Sequence, residues 1–105
     1  MAERITSADF SEKVLDAELP VLVDFYSDTC VPCRMLSPVL SQLESELGGN
    51  LLIYKVNVGY EQELVEKYEV QASPTLIFFK NGEEVSRLRG MTQKAKLIEE
   101  FEKIQ

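Results

Sequence analysis

The chain contains two cysteines, Cys30 and Cys33, which are separated only by Val31 and Pro32. They follow the apolar run Val21–Tyr26, at a point where a helix can begin. In the first turn of a helix this spacing brings the two sulfurs within bonding distance, so the pair can change between dithiol and disulfide without a large backbone movement. The spacing therefore predicts a redox-active pair.

A purely structural disulfide is the alternative role for Cys30 and Cys33. A cross-link stabilises a protein by restricting the unfolded chain, and this effect shrinks with the size of the closed loop. Because the loop here is almost the smallest that two cysteines can close, the bridge would add little stability. A redox role is therefore the better explanation for the pair.

Asp24 is the second residue whose position suggests chemistry, since it interrupts an apolar run that reads as a central strand. Burial of a carboxylate is unfavourable unless the group is neutral, paired or solvated, and desolvation raises its pKa. One short loop before the cysteines, such a group is a candidate general base for Cys33. The alternative is an aspartate at the strand end that turns to solvent.

The composition bounds the function in several ways. The 105 residues fit one domain, 1–105, and the net charge of −7 argues against a non-specific nucleic-acid or anionic-membrane binder. The absence of histidine excludes a Cys-His protease site and a histidine-containing zinc site in this chain. Two cysteines cannot complete a four-thiolate site, although a metal or iron–sulfur cluster shared between two chains stays open.

No apolar stretch in the sequence has the length of a signal peptide or a membrane-spanning helix. We therefore expect a cytoplasmic protein without a membrane partner. We also expect a monomer. In that reducing compartment disulfides are usually transient and catalytic, which favours the redox role of the cysteine pair.

Helices and strands alternate in the first two thirds of the predicted structure. Thr6 and Asp9 resemble a capping box for a helix that runs to about Ala17, and the strand Val21–Tyr26 follows. A helix then runs from the cysteines to Gly48 and Gly49, with a kink expected at Pro38. A second strand over 51–58 and a helix over 61–68 complete a pattern that predicts crossover connections and parallel pairing.

The last third predicts an antiparallel hairpin and a final helix. Strands over 75–79 and 85–88 are joined across Asn81-Gly82, a strong signal for a two-residue turn. Thr92 is expected to cap the last helix, and a short optional strand is expected around Arg4 and Ile5. A mixed sheet between layers of helices follows.

A Cys-x-x-Cys that follows a strand and opens a helix within a βαβ unit is typical of thioredoxin-like redox motifs. Further segments extend the resemblance over nearly the whole chain, in the order and spacing of the thioredoxin family. They are Val23-Asp24-Phe25-Tyr26, Cys33-Arg34 with Pro38, Lys55-Val56-Asn57-Val58, Ser73-Pro74-Thr75, Phe79-Lys80-Asn81-Gly82 and Arg89-Gly90.

The resemblance implies an α/β thioredoxin fold, with a central mixed β-sheet of four to five strands flanked by four α-helices on both faces. It also implies a thiol-disulfide oxidoreductase that binds no cofactor, because the Cys30-Cys33 disulfide is itself the redox group. The expected partners are disulfide-containing target proteins and a flavoprotein thioredoxin reductase. The electron source of that reductase, a nicotinamide or a ferredoxin, stays open.

Individual roles follow from position and from the family. Cys30 at a helix N-terminus, where free N–H groups favour a thiolate, is expected to be the nucleophile, and Cys33, one turn inward, the resolving thiol. The resemblance assigns Asp24 as general base for Cys33 and implies that Lys55 lies near Asp24 and tempers its charge. A strand-edge lysine that reaches water is the alternative for Lys55.

The resemblance also implies a substrate-binding rim around the disulfide. In the family, the proline that matches Pro74 has a cis peptide bond, which exposes the backbone of the preceding residue to an incoming peptide. The frequencies of X-Pro bonds alone favour a trans bond. A glycine on the rim lets a substrate backbone approach, and core filling is the alternative for the methionine that follows it. The expected rim residues are Thr29, Val31, Pro32, Ser73, Pro74, Gly90 and Met91.

Three rim positions depart from the common family pattern. Thr29 stands where a tryptophan is usual, Val31 where a glycine is usual, and Ser73 where an apolar residue is usual. We hypothesise that these residues alter partner choice or redox poise and leave the dithiol mechanism intact. The rival functions are an oxidant or isomerase that works in the opposite direction, and a non-catalytic thioredoxin-like binding module or metal-bridged dimer.

Overall fold

A computed structural model describes residues 2–105. The first helix, Ser7–Phe10, continues directly into a π-helical segment, Ser11–Leu15. In chain order the elements are β1 (Glu3–Arg4), α1 (Ser7–Phe10), β2 (Val21–Tyr26), α2 (Val31–Leu47), β3 (Leu52–Asn57), α3 (Gln62–Lys67), β4 (Thr75–Lys80), β5 (Glu83–Arg89) and α4 (Lys94–Ile104). No helix within this described part of the chain is both long enough and apolar enough to cross a membrane.

The five strands form one mixed sheet in the order β1-β3-β2-β4-β5. β3 pairs in parallel with both β1 and β2, as the helical crossovers require. β4 runs antiparallel to β2 and to β5. The predicted α/β architecture is confirmed, and the optional N-terminal strand is present as β1.

β2 lies at the centre of the sheet and is covered on both faces. One face packs against α1, the π-helical segment and α3, through a cluster that includes Phe10, Val14, Val23, Phe25, Leu64 and Ile77. The other face packs against α2 and α4, through a cluster that includes Leu22, Leu36, Leu40, Ile53, Leu76 and Phe101. Because alternate residues of a strand point to opposite faces, this arrangement decides which side chains of β2 lie beneath α2.

The hairpin between β4 and β5 turns at the predicted pair. Asn81 has φ of 54° and Gly82 has φ of 80°, and two successive positive φ values define the tight turn that suits the twist of a hairpin. Asparagine and glycine are the residues that adopt this conformation most readily. The hairpin prediction is therefore confirmed together with its local cause.

Two helix termini differ from the sequence predictions. The first helical stretch is not α-helical to Ala17, because it changes to a π-helix at Ser11 and ends at Leu15. The cap predicted at Thr92 is wrong by one residue, since Gln93 occupies the N-cap position of α4. The Thr92 hydroxyl instead donates a hydrogen bond to the Gly90 carbonyl oxygen at 3.1 Å, so it stabilises the preceding loop.

α2 runs from Val31 to Leu47 with Pro38 inside it, and the kink expected there stays a prediction. The apolar residues of this helix hold it on the sheet and so fix the position of its N-terminus. At that N-terminus lie the two cysteines.

Candidate active site

Cys30 is the N-cap residue of α2, with extended backbone dihedrals, and Cys33 lies in the first turn of the helix. The two residues form a disulfide, and their Cα atoms are 5.2 Å apart, within the range that a disulfide needs without backbone movement. The backbone N–H of Cys33 donates a hydrogen bond to Cys30 Sγ at 3.1 Å. A thiolate at Cys30 would therefore meet a free helix N-terminus and an N–H donor.

The two cysteines differ in accessibility. Cys30 is half-buried, whereas Cys33 is only 5% exposed. An incoming disulfide can therefore reach the first sulfur more easily than the second, which is the asymmetry that the sequence predicts for a nucleophile and a resolving thiol. Pro32 and Val31 between them are exposed.

Asp24 is fully buried in β2, with 0% of its surface exposed. Its side chain lies on the α2 face of the sheet, because it is two residues from Leu22 and opposite Leu76, which both belong to that core. Neither carboxylate oxygen has a hydrogen-bond partner. Burial raises the pKa of Asp24 to about 7, and the positive charge of Lys55 acts in the opposite direction.

Lys55 is directly opposite Asp24 in the parallel pairing of β2 with β3. Its ammonium group lies 4.5 Å from the centroid of the Tyr26 ring, in cation–π geometry. Cys33, Tyr26 and Lys55 line one open depression of about 370 Å³. The resolving cysteine and the lysine next to Asp24 therefore share an open recess.

The loop before β4 faces the disulfide. The carbonyl oxygen of Ser73 lies 3.5 Å from Cys30 Sγ, and the Ser73-Pro74 peptide bond is cis, as the resemblance implies. Gly90, with φ of 80°, donates its N–H to the Pro74 carbonyl oxygen at 2.8 Å. This hydrogen bond joins the end of β5 to the loop that faces the disulfide.

The predicted rim residues differ in exposure. Val31 is 60% exposed and Met91 is 44% exposed, so Met91 does not fill the core. Thr29 is exposed, Ser73 is half-buried and Pro74 is buried. Apolar surface at Val31 and Met91 therefore remains open to a partner.

Sequence reasoning missed the roles of two residues of this region, Asn57 and Tyr26. The buried amide of Asn57 donates a hydrogen bond to the Asp28 carboxylate at 3.1 Å and accepts one from the Gly59 N–H at 2.8 Å, which ties the loop before the cysteines to the end of β3. Tyr26 holds the Lys55 ammonium. Asn57 could have been noticed as a polar residue at the end of an apolar strand. Nothing in the sequence indicates the role of Tyr26.

Among residues 2–105 there is no group of three or more histidine, cysteine, aspartate or glutamate side chains that can hold a metal ion. The site itself consists of the Cys30-Cys33 pair at the N-terminus of α2 and of the carboxylate of Asp24, which is buried on the sheet face that α2 covers. A mixed sheet that presents this pair defines the class of thiol-disulfide exchange proteins.

Comparisons with known proteins agree with this class. The family model described as Thioredoxin matches residues 1–103. Thioredoxin of Rickettsia bellii is 40% identical over 94% of this chain and 94% of its own length, and Thioredoxin 1 of a Nostoc species is 35% identical over 97% and 95%. Thioredoxin M-type, chloroplastic, of Pisum sativum is 38% identical over 94% of this chain and 58% of its own length.

The chain belongs to the thioredoxin family. It is a thiol-disulfide oxidoreductase with protein-disulfide reductase activity, and its redox group is the Cys30-Cys33 disulfide rather than a bound cofactor. Membership of this family implies a thioredoxin reductase and disulfide-containing proteins as the general classes of partner.

Proposed function

We propose that the protein is a monomeric cytoplasmic electron carrier, which a flavoprotein thioredoxin reductase reduces and which then reduces disulfides of target proteins. The cytoplasm supplies the reducing conditions that such a cycle needs. The observation that carries the proposal is the asymmetry of the two sulfurs, because Cys30 is accessible at the helix N-terminus while Cys33 is buried behind it. One cysteine can meet the target and the other can release it.

In the first step the Cys30 thiolate attacks one sulfur of the target disulfide. The target S–S bond breaks, a mixed disulfide forms between Cys30 and the target, and the second target sulfur leaves as a thiolate. The N-terminus of α2 and the Cys33 N–H stabilise the attacking anion. The leaving thiolate takes its proton from solvent.

In the second step the Cys33 thiol gives its proton to the Asp24 carboxylate and attacks Cys30 Sγ. The mixed disulfide breaks, the Cys30-Cys33 disulfide forms, and the remaining target sulfur leaves as a thiolate. Two electrons have then passed from the dithiol to the target. A pKa of about 7 suits Asp24 to this task, since a base with a pKa near the working pH both accepts and returns a proton readily.

Lys55 tunes Asp24 in this proposal. Its positive charge opposes the effect of burial on the Asp24 pKa, so a fraction of the carboxyl groups remains ionised at neutral pH. Lys55 and Cys33 line the same open recess, so the lysine that acts on Asp24 lies on the side of the resolving cysteine.

Target recognition is assigned to the rim formed by Thr29, Val31, Pro32, Ser73, Pro74, Gly90 and Met91. Ser73 lies outside the ladder of β4 and close to Cys30, so its backbone is available to pair with an extended target segment. The exposed side chains of Val31 and Met91 provide apolar contact. Replacing Thr29 with Trp and Val31 with Gly should change the rates with reductase and targets or the reduction potential; unchanged values would contradict a role for these departures.

Trapping tests the proposal directly. With Cys33→Ser the first step proceeds and the second cannot, so mixed disulfides with target proteins should accumulate on Cys30 and disappear on treatment with dithiothreitol. The matched control is the double variant Cys30→Ser, Cys33→Ser, which should trap none. A Cys33→Ser protein that traps no target would indicate a passive binding module, and trapping by Cys30→Ser instead would reverse the assigned roles.

A further inference from the structure

The Lys55 ammonium and the Asp24 carboxylate are neighbours that do not form a hydrogen bond. The two residues are paired across β2 and β3, so their side chains lie on the same face of the sheet. Both Asp24 oxygens are buried without a hydrogen-bond partner. An ammonium on a flexible stem in that position would ordinarily pair with a buried carboxylate.

Tyr26 provides the competing interaction for Lys55. It lies two residues after Asp24 on the same strand, and therefore on the same face. The Lys55 Nζ lies 4.5 Å from its ring centroid, within the distance at which the electron-rich face of an aromatic ring attracts a cation. The Tyr26 hydroxyl accepts a hydrogen bond from Arg4 at 3.5 Å, so a second side chain also contacts Tyr26.

The surroundings of Asp24 leave Lys55 as the charge that matters. β3 contributes Lys55, β2 contributes Tyr26, and α2 contributes Cys33 in the same recess. β4 contributes the apolar Leu76, opposite Asp24, and the α4 residues packed on this face are apolar. The charged residues Asp28 and Arg34 also line the recess, and both are exposed.

We propose that Tyr26 is a positioning residue, whose ring holds the Lys55 ammonium away from Asp24 and so keeps the buried carboxylate unpaired and free to accept the proton of Cys33. This inference rests on the proposed function, in which Asp24 is the base. An ion pair with Lys55 would occupy the carboxylate and make it a weaker base. The ring therefore protects the reactivity of Asp24 without contact with the substrate.

The test follows Asp24 itself by carbon-13 NMR of its carboxyl group, during a pH titration of the oxidised protein without a substrate. Tyr26→Leu removes the ring and should lower the titration midpoint of Asp24 by about one pH unit, because Lys55 can then reach the carboxylate. Tyr26→Phe keeps the ring and removes only the hydroxyl, so its midpoint should match that of the unaltered protein. An unchanged or raised midpoint in Tyr26→Leu overturns the proposal.

A double variant separates positioning from altered burial. In the Lys55→Met background, Tyr26→Leu should leave the Asp24 midpoint unchanged; an equal lowering there would mean that the ring acts through solvent access, and would overturn the proposal. If the leucine variant does not fold, Tyr26→Met takes its place. In the unaltered protein the Lys55 Cε protons should show an upfield ring-current shift, whose absence would also contradict the contact.

These readouts are independent of turnover. Suppose that Tyr26→Leu lowers the Asp24 midpoint as expected but that the Cys33→Ser variant traps no target. This combination would reject the proposed function and leave the positioning role of Tyr26 intact. If Cys33→Ser traps targets but Tyr26→Leu does not change the Asp24 midpoint, only the positioning role is rejected.

Discussion

Asp24 and Lys55 face each other across neighbouring parallel strands, and yet the lysine ammonium lies over the Tyr26 ring while the aspartate has no hydrogen-bond partner. A buried carboxylate without a partner destabilises a protein when it is ionised. The arrangement therefore retains an unfavourable group directly beneath the helix that carries the cysteines. Its consequences for stability and for rate can be measured separately.

The stability of the oxidised protein should depend on the charge of Asp24. The pKa of this carboxyl group rises from its ordinary value of 3.8 to about 7 on folding, so the folded state binds the extra proton. The contribution of Asp24 to the free energy of unfolding is therefore largest below its unfolded pKa and falls as the pH rises from about 4 to about 7. The difference of about three between the folded and unfolded pKa values corresponds to at most roughly 4 kcal/mol of unfolding free energy.

Replacement of Asp24 with Asn removes this penalty. Denaturant unfolding should find Asp24→Asn more stable than the unaltered protein by a few kcal/mol at pH 8, and by much less at pH 4. Asp16→Asn, at an exposed position, is the matched control and should be neutral at both values. Equal effects of Asp24→Asn at pH 4 and pH 8 would show that ionisation is not the cause.

The same Asp24→Asn variant should be a slower reductase. Loss of the base leaves the Cys33 thiol without a proton acceptor, and general bases typically contribute about 10²- to 10⁴-fold. Stopped-flow measurement should find the release of the mixed disulfide slowed at pH 7 and the first attack by Cys30 little changed. Recovery of the rate at high pH, where the thiol ionises unaided, is also expected; a slowed first step with normal release would argue against the assignment.

Much of the site followed from the sequence because its signals are local. A Cys-x-x-Cys at a strand-to-helix junction fixed the positions of Cys30 and Cys33, and an aspartate within an apolar strand indicated burial at Asp24. The hairpin turn at Asn81 and Gly82 was equally local. Each of these features depends on residues that are adjacent in the chain.

The features that sequence reasoning missed depend on tertiary contacts. The Tyr26–Lys55 contact joins two strands, and the Asn57–Asp28 hydrogen bond joins the end of β3 to the loop before the cysteines, so neither leaves a periodic pattern. Thr92 had the residue type of a cap, but its hydroxyl bonds the Gly90 carbonyl in the preceding loop. Residue type thus predicts which kinds of interaction a side chain can make. Tertiary packing determines which partner it contacts.

The exposed apolar side chains of the rim should contribute to target reduction. Val31→Ser and Met91→Ser should each lower kcat/KM for a protein disulfide by about fivefold, the equivalent of about 1 kcal/mol for an interface contact. Their effect on reduction of a small disulfide should be much weaker. Val85→Ser is the control, since Val85 is exposed on β5; an equal loss in that variant would remove the case for a localised rim.

The β4–β5 hairpin makes a prediction about stability alone. Gly82 and Gly49 both have positive φ, but only at Gly82 would an added Cβ meet backbone, 3.0 Å from the Leu15 carbonyl oxygen. Gly49→Ala should therefore cost about 1 kcal/mol for the left-handed conformation, and Gly82→Ala should cost more. Thermal unfolding measures both, and equal losses would mean that the contact with Leu15 relaxes freely.

The central claim is that Cys30 and Cys33 form a reductase couple, and its equilibrium reduction potential tests this most directly. The protein is equilibrated with glutathione buffers and with dithiothreitol buffers of known ratio, and the free thiols are counted after alkylation. A reductase couple should remain oxidised in glutathione and be reduced only by dithiothreitol. Full reduction of the pair by glutathione would identify an oxidant and contradict the account.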